Sequence, residues 1–225
     1  MGGMFNGLLF FPVTPYRADG YVDLDELAAH VGRGVDAGAG GVFAACGTGE
    51  FSALEPDEYA EVVRAAVAAA GGRVPVFAGA GGPVRTARRF TDLALGAGAN
   101  GVLLLPPYLV TSTPEGILGH IRYVVRDSAL PVIVYQRANA RLSPSTALAL
   151  LDLPEVAGLK DGLGDVEQMQ RIIATVRTSG HPRAAGFAFL NGLPTAELSA
   201  RAYRAIGVRS YSSAVHCFAP DLAHA

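Results

Sequence analysis

The sequence lacks an excess of charge of either sign. Its 18 Lys and Arg residues nearly balance 20 Asp and Glu residues, which gives a formal net charge of −2 at pH 7. Because a basic field is what holds a phosphate backbone, this balance argues against a nucleic-acid partner. Half of the residues are hydrophobic and 17% are charged, a composition that excludes intrinsic disorder.

Cysteine, closely spaced histidine and long apolar runs are also scarce. Cys46 and Cys217 are too few for a disulfide framework and are not spaced for zinc, and the five His form no His-x-x-x-His pair. We therefore expect no metal. No apolar run approaches a membrane span, and the first residues lack the basic segment of a signal peptide. These features predict a soluble, cytoplasmic protein without a membrane partner.

Short apolar runs recur along the chain and predict a parallel barrel. They are nearly continuous, as expected for strands that are covered on both faces, and they alternate with stretches of helical spacing. Their spacing of roughly 25–35 residues is typical of a (β/α)8 TIM barrel. The runs are 8–13, 41–45, 74–78, 101–105, 131–135, 156–160, 184–189 and 208–212. A doubly wound open sheet is the alternative, but it would more often carry Gly-x-Gly-x-x-Gly after the first strand, and residues 11–15 do not.

The segment after the last predicted strand is short. Residues 218–222 have the pattern of a helix start, with Pro220 and Asp221 in its first turn. We therefore expect a barrel that lacks its final helix and a C-terminal helical region. No linker-like or low-complexity segment interrupts the chain, so we expect a single domain over residues 1–225.

Lys160 is the only lysine in a chain with 17 arginines, and it ends the sixth predicted strand. In a barrel of this kind the loops after the strands form the active site. Burial at a strand end lowers the pKa of an amine from about 10.4 towards neutrality, and a neutral amine attacks a ketone to give a protonated imine. The alternative is a rim lysine paired with Asp161 or another acid.

Other strand ends carry candidate substrate-binding or proton-transfer groups. Tyr135 is either a proton shuttle or a barrel tyrosine with its hydroxyl at the mouth. The loop 47–50, with Gly47, Thr48 and Gly49, either binds a carboxylate through its backbone amides or forms a plain tight turn. Arg137 offers a fork for a carboxylate, or is a solvated loop residue. Side chains that could contact substrate hydroxyls are Asn139, Asn191, Ser212 and Ser213.

Several of these segments resemble the dihydrodipicolinate synthase / N-acetylneuraminate lyase superfamily. The resemblance rests on Gly-Thr-Gly-Glu at 47–50, Pro-Pro-Tyr at 106–108, Tyr135 and Val-Ala-Gly-Leu-Lys-Asp at 156–161, and it runs from about Gly7 to Phe218. It implies a (β/α)8 enzyme that acts on 2-oxo acids through a lysine imine, needs no cofactor and forms a homo-oligomer. Two departures, Gly47 and Leu109 where synthases carry Thr and Tyr, weaken the synthase interpretation.

A narrower resemblance is to the 5-dehydro-4-deoxyglucarate dehydratases of that superfamily. It is carried by residues 104–109, 135–140, 160–165, 192–197 and 211–215, although Gln136 stands where Asn is more frequent. It implies loss of water and CO2 from 5-dehydro-4-deoxy-D-glucarate, a small-molecule substrate, to give 2,5-dioxopentanoate. Two alternatives remain: an aldolase of the same superfamily acting on 2-oxo-3-deoxy sugar acids, and an inactive barrel fragment that serves as an oligomer partner.

The resemblance also implies a role for each candidate residue. Lys160 would form the imine, and Tyr135 and Thr48 would relay protons. The loop of Gly47, Thr48 and Gly49 would hold the carboxylate beside the ketone, and Arg137 the second carboxylate. The polyol chain would lie along the side chains of Asn191, Ser212 and Ser213.

Overall fold

The strands form a closed parallel barrel in which each strand pairs with the next and β8 pairs with β1. The computed structural model describes residues 4–5, 7–107 and 109–224, so Tyr108 of the predicted Pro-Pro-Tyr segment lies outside the described residues. The predicted (β/α)8 architecture is confirmed. The strands are β1 Leu8–Phe10, β2 Val42–Ala44, β3 Val76–Ala80, β4 Gly101–Leu104, β5 Val132–Gln136, β6 Val156–Asp161, β7 Ala188–Asn191 and β8 Ser210–Ser213.

Helices follow the strands around the outside of the barrel, and several begin at the predicted caps. The side chains of Asp23, Thr113 and Ser143 each accept a hydrogen bond from an amide three residues ahead, which satisfies a free donor of the first turn. Among the described residues, no helix has both the length and the hydropathy needed to cross a bilayer. The helices are α1 Leu24–Asp36, α2 Pro56–Ala70, α3 Val84–Gly96, α4 Pro114–Val125, α5 Pro144–Ala149, α6 Val166–Thr178, α7 Ala196–Ala205 and α8 Pro220–His224.

The seventh strand differs from its predicted bounds. The seventh strand was expected at 184–189, but Ala184–Gly186 is a 3-10 turn and β7 begins only at Ala188. The run Ala-Ala-Gly is apolar but has no bulky side chain. Its composition therefore fits a turn as well as a buried strand. At the other end of the chain, the helix start predicted within 218–222 corresponds to α8, a helix of 5 residues.

Aromatic rings fill the barrel interior below the strand ends. Phe43 stacks between Phe11 and Phe77, with ring centroids 4.6 and 4.9 Å apart. Leu9 and Ile133 complete this inner cluster with other fully or nearly fully buried side chains. The inner cluster is apolar, so a polar group placed directly above it loses most of its hydration.

Arg183, in the segment before β7, holds the segment that leads into β6 by hydrogen bonds. Its guanidinium donates hydrogen bonds to four carbonyl groups within 151–156, including those of Leu151 at 2.8 Å and Pro154 at 2.9 Å. We predict that Arg183→Met lowers the free energy of unfolding by about 2 kcal/mol, because these carbonyls lose a charged donor. Arg171→Met, on the exposed face of α6, should change it by less than about 0.5 kcal/mol. Urea denaturation of both variants measures the difference, and equal losses would contradict the prediction.

Candidate active site

A cavity of about 800 Å³ opens at the carboxyl ends of the strands. That volume suits a small organic acid. Seven of the predicted site residues line it: Gly47, Thr48, Tyr135, Arg137, Asn139, Lys160 and Ser212. Its apolar wall includes Phe11, Leu103, Leu105, Pro106, Pro107 and Leu193. Within the described residues, no group of three or more His, Cys, Asp or Glu side chains could hold a metal ion.

Lys160 and Tyr135 face each other inside the barrel. They are register partners on the neighbouring strands β6 and β5, so both side chains point to the same side of the sheet. The Lys160 Nζ lies 3.9 Å from the centroid of the Tyr135 ring and 4.5 Å from that of Phe11. In the part of the chain that the structure describes, Lys160 takes part in no ion pair. The alternative of a rim lysine paired with Asp161 is therefore wrong.

The surroundings of Lys160 favour its neutral form. The residue is 5% exposed. Burial lowers the pKa of the Lys160 amine to about 8, and the Arg137 guanidinium acts in the same direction. A Cys46 thiolate would oppose this shift, but burial raises the pKa of that thiol to about 12, so it stays neutral at physiological pH. The amine is therefore far more available as a nucleophile than an exposed lysine would be.

Because the chain has one lysine, its titration can be measured directly. We predict that trace acetylation of Lys160 by acetic anhydride rises with pH around a midpoint near 8 in the native protein. In the urea-unfolded chain the midpoint should return to about 10.4, because the desolvation is gone. Mass spectrometry of the peptide that contains Lys160 gives the labelled fraction. A native midpoint above about 10 would show that burial does not depress this pKa.

Tyr135 is held as a neutral phenol beside the amine. Its hydroxyl donates a hydrogen bond to the Gly192 carbonyl at 3.3 Å. Burial raises the pKa of Tyr135 more than the Arg137 guanidinium lowers it, so the phenol keeps its proton at neutral pH. The Arg137 Cζ lies 5.7 Å from the centroid of the tyrosine ring. A protonated hydroxyl in this place can donate a proton to a group that develops negative charge at the mouth.

The loop after β2 contains backbone amides that have no acceptor among the described residues. The amides of Gly47, Thr48 and Gly49 donate no hydrogen bond to any described residue, whereas the next two amides close the turn on the carbonyls of Gly47 and Cys46. Free amides beside a hydroxyl form a site suited to a carboxylate. Gly47 and Thr48 line the cavity, but Gly49 does not. Its carbonyl instead accepts a hydrogen bond from the Thr14 hydroxyl at 2.7 Å, which holds the loop.

The structure does not bring Asn191 and Ser213 into the cavity. The Asn191 side chain is fully buried and donates to the Ser199 hydroxyl at 2.8 Å. The Ser213 hydroxyl accepts from the backbone amide of His216 at 2.9 Å. Both residues end strands, where consecutive side chains point to opposite faces, so each has its side chain in the layer between barrel and helices. Of the two adjacent serines, only Ser212 reaches the cavity.

Asn139 fixes the rim of the cavity. Its side-chain nitrogen donates to the carbonyls of Pro107 and Val110, at 2.5 and 3.2 Å. These bonds tie the loop after β5 to the loop after β4. A cavity-lining asparagine was expected to contact substrate hydroxyls, and here its donor is used to hold two loops together. Residues that the sequence did not indicate also line the cavity, among them Phe11, Ser52 and Gly81.

A buried polar network lies behind the Lys160–Tyr135 pair. The Asp161 carboxylate accepts hydrogen bonds from the Gln136 side chain at 2.8 Å, from the Leu163 amide at 3.1 Å and from the Tyr203 hydroxyl. Gln136, Asp161 and Tyr203 are each 1% exposed. Burial, with the Asp161 carboxylate acting in the same direction, raises the pKa of Tyr203. The network joins β5, β6 and α7 and so fixes the two strand ends that carry the reactive side chains.

Solved structures with this fold include synthases and a related prophage protein. Dihydrodipicolinate synthase from Bacillus clausii superposes with a TM-score of 0.86 at 27% identity, over 96% of this chain and 71% of that one. A prophage protein of the dihydrodipicolinic acid synthase family from E. coli K12, solved in complex with pyruvate, gives 0.87 at 27% identity over 98% and 73%.

Sequence comparisons agree with the fold. A probable 5-dehydro-4-deoxyglucarate dehydratase of Streptomyces coelicolor is 55% identical over 97% of this chain and 68% of its own length. One from Streptomyces avermitilis is 52% identical over 97% and 69%. The model of the dihydrodipicolinate synthetase family matches residues 4–225. The chain therefore belongs to the dihydrodipicolinate synthetase family.

Proposed function

We propose that this protein is a lysine-dependent lyase that converts 5-dehydro-4-deoxy-D-glucarate into 2,5-dioxopentanoate, CO2 and water. One observation carries the proposal: a desolvated amine, Lys160, lies 3.9 Å from the Tyr135 ring in a cavity at the mouth of the barrel. The names of the relatives from Streptomyces coelicolor and Streptomyces avermitilis support the substrate. The pyruvate bound to the E. coli K12 relative supports the wider class, the 2-oxo acids.

The groups around the cavity suit a substrate with a carboxylate at each end. Lys160 attacks the keto carbon and releases water to form the imine, which requires no cofactor. The carboxylate beside the ketone binds the free amides of Gly47 and Thr48 together with the Thr48 hydroxyl. Arg137 lines the same cavity and binds the second carboxylate through its planar fork. The Ser212 hydroxyl is available to a hydroxyl of the chain between them.

The imine supplies the electron sink for both eliminations. It acidifies the adjacent CH2, and loss of a proton from that carbon gives an enamine. The enamine expels the hydroxyl of the next carbon, which leaves as water after taking a proton relayed by Tyr135 and Thr48. The resulting conjugated imine accepts the electron pair released when the second carboxylate departs as CO2. Protonation and hydrolysis then release 2,5-dioxopentanoate and regenerate the Lys160 amine.

The products of a single incubation test the proposal. Purified protein is mixed with 5-dehydro-4-deoxy-D-glucarate, and released CO2, 2,5-dioxopentanoate and pyruvate are measured. Equimolar CO2 and 2,5-dioxopentanoate support the dehydratase. Pyruvate without CO2 identifies an aldolase, and absence of any product identifies an inactive fragment, so either result overturns the proposal. The Lys160→Met variant is the control for spontaneous decarboxylation.

A further inference from the structure

Gly192 contacts both reactive side chains. Its amide donates to the Asp161 carbonyl at 2.6 Å, and its carbonyl accepts the 3.3 Å hydrogen bond from the Tyr135 hydroxyl. A Cβ at this position would lie 2.5 Å from the Cγ and 2.6 Å from the Cε of Lys160. The lysine methylenes therefore occupy the space that any other residue at position 192 would fill.

Gly162 packs against Tyr135 as Gly192 packs against Lys160. A Cβ there would lie 2.7 Å from Cε2 and 2.8 Å from the hydroxyl oxygen of Tyr135. Its amide donates to the Gln136 carbonyl at 3.0 Å, which extends the pairing of β5 with β6 past the end of β6. The phenol is thus packed against the backbone at Gly162.

Neither glycine is needed for its backbone conformation. The glycines with positive φ are other residues, such as Gly164 and Gly207, and neither Gly162 nor Gly192 is among them. An alanine could adopt the backbone torsion angles of both positions without strain. What these two positions require is the absence of a side chain.

We propose that Gly162 and Gly192 are positioning residues whose missing side chains hold the Lys160 amine over the face of Tyr135. The inference rests on the proposed function only in taking Lys160 as the reactive amine. A methyl group at position 192 meets the lysine methylenes on one side and the Asp161 carbonyl, 2.8 Å away, on the other. The carbonyl is part of β6 and the lysine side chain is flexible, so the lysine moves, and its amine shifts away from the two aromatic rings towards the water of the cavity.

A methyl group at position 162 acts on the Tyr135 side chain. It displaces the Tyr135 ring and lengthens the hydrogen bond from its hydroxyl to the Gly192 carbonyl. The amine then loses one of the two rings that desolvate it. Both substitutions therefore change the hydration of Lys160, although neither position carries an ionisable group.

The test measures Lys160 without any substrate, so its outcome does not depend on which acid the enzyme uses. Gly192→Ala, Gly162→Ala and Gly186→Ala are compared by trace acetylation with acetic anhydride across the pH range. Gly186 is the matched control, because a Cβ there meets nothing within 4 Å and its φ is not positive. We expect Gly192→Ala to raise the midpoint of Lys160 labelling by about one pH unit or more, since the amine regains water. Gly162→Ala should raise it by a smaller amount, and Gly186→Ala should leave it unchanged.

Turnover of 5-dehydro-4-deoxy-D-glucarate gives a second measurement. We expect kcat to fall about tenfold or more in Gly192→Ala and Gly162→Ala with a smaller change in KM, because misplacing reactive groups lowers the rate after binding. A folded Gly192→Ala protein that keeps the wild-type pH midpoint of Lys160 acetylation and the wild-type kcat would overturn the inference. If Gly192→Ala does not fold, Gly162→Ala provides the test. An unchanged pH midpoint of Lys160 acetylation together with an unchanged kcat in Gly162→Ala would then overturn the inference.

Discussion

Replacement of Lys160 by methionine or arginine is expected to abolish turnover. Methionine keeps an unbranched chain beside Phe11 and Tyr135 but has no nucleophile, and arginine remains protonated at any pH at which the protein is folded. Without an imine there is no electron sink for either elimination, so we expect kcat to fall by on the order of 10³-fold or more. Release of CO2 measures the loss. Undiminished turnover in Lys160→Met would remove the basis of the proposed mechanism.

Covalent trapping provides the direct measurement at the same residue. Borohydride added during turnover should reduce the imine and leave a stable mass increase on the peptide that contains Lys160. Arg171→Lys supplies a matched control, because it places a second lysine on α6 at a site whose side chain is 69% exposed. We expect labelling at Lys160 and none at position 171, since an exposed amine is protonated and does not bind the substrate. Equal labelling of both lysines would show a non-specific reaction.

Tyr135→Phe is expected to lower kcat by about 10²-fold, in the usual range for a lost proton-transfer group. The ring remains to desolvate the Lys160 amine, and only the hydroxyl that bonds to the Gly192 carbonyl disappears. KM should therefore change by only a few-fold, and the pH midpoint of Lys160 acetylation should stay near 8. Steady-state kinetics together with the labelling titration measure both quantities.

The control for this variant is Tyr211→Phe. The Tyr211 hydroxyl donates to the Ala223 carbonyl at 2.7 Å, so its loss weakens the attachment of α8. We expect a lower free energy of unfolding in Tyr211→Phe with kcat unchanged. If Tyr135→Phe behaves in the same way, its hydroxyl has a structural role only.

The barrel and the pair of Lys160 and Tyr135 could be predicted because the patterns that indicate them lie within short stretches of the sequence. Continuous apolar runs at regular intervals indicate buried parallel strands, and Lys160 and Tyr135 each stand at the end of one such run. Asn191 and Ser213 also end strands, but their side chains point away from the cavity. Which of two adjacent residues faces the interior depends on the phase of the strand, and in strands buried on both faces the hydrophobic pattern does not reveal that phase.

The remaining parts of the site depend on contacts between distant segments. Asp161 and Tyr203 are 42 residues apart, and nothing near either residue indicates that they meet. The roles of Gly162 and Gly192 depend on where the Tyr135 and Lys160 side chains lie in space. The spacing of residues along the sequence does not show that these two side chains occupy the space beside the glycines.

The stacked rings of Phe11, Phe43 and Phe77 limit the direction from which water can reach the Lys160 amine. They fill the axis of the barrel beneath the amine, so solvent approaches the Lys160 nitrogen from the side where the acid enters. In the proposed mechanism a bound acid would occupy that approach and shield the imine on Lys160 from hydrolysis. Departure of CO2 would shorten the bound molecule and readmit water to the imine carbon.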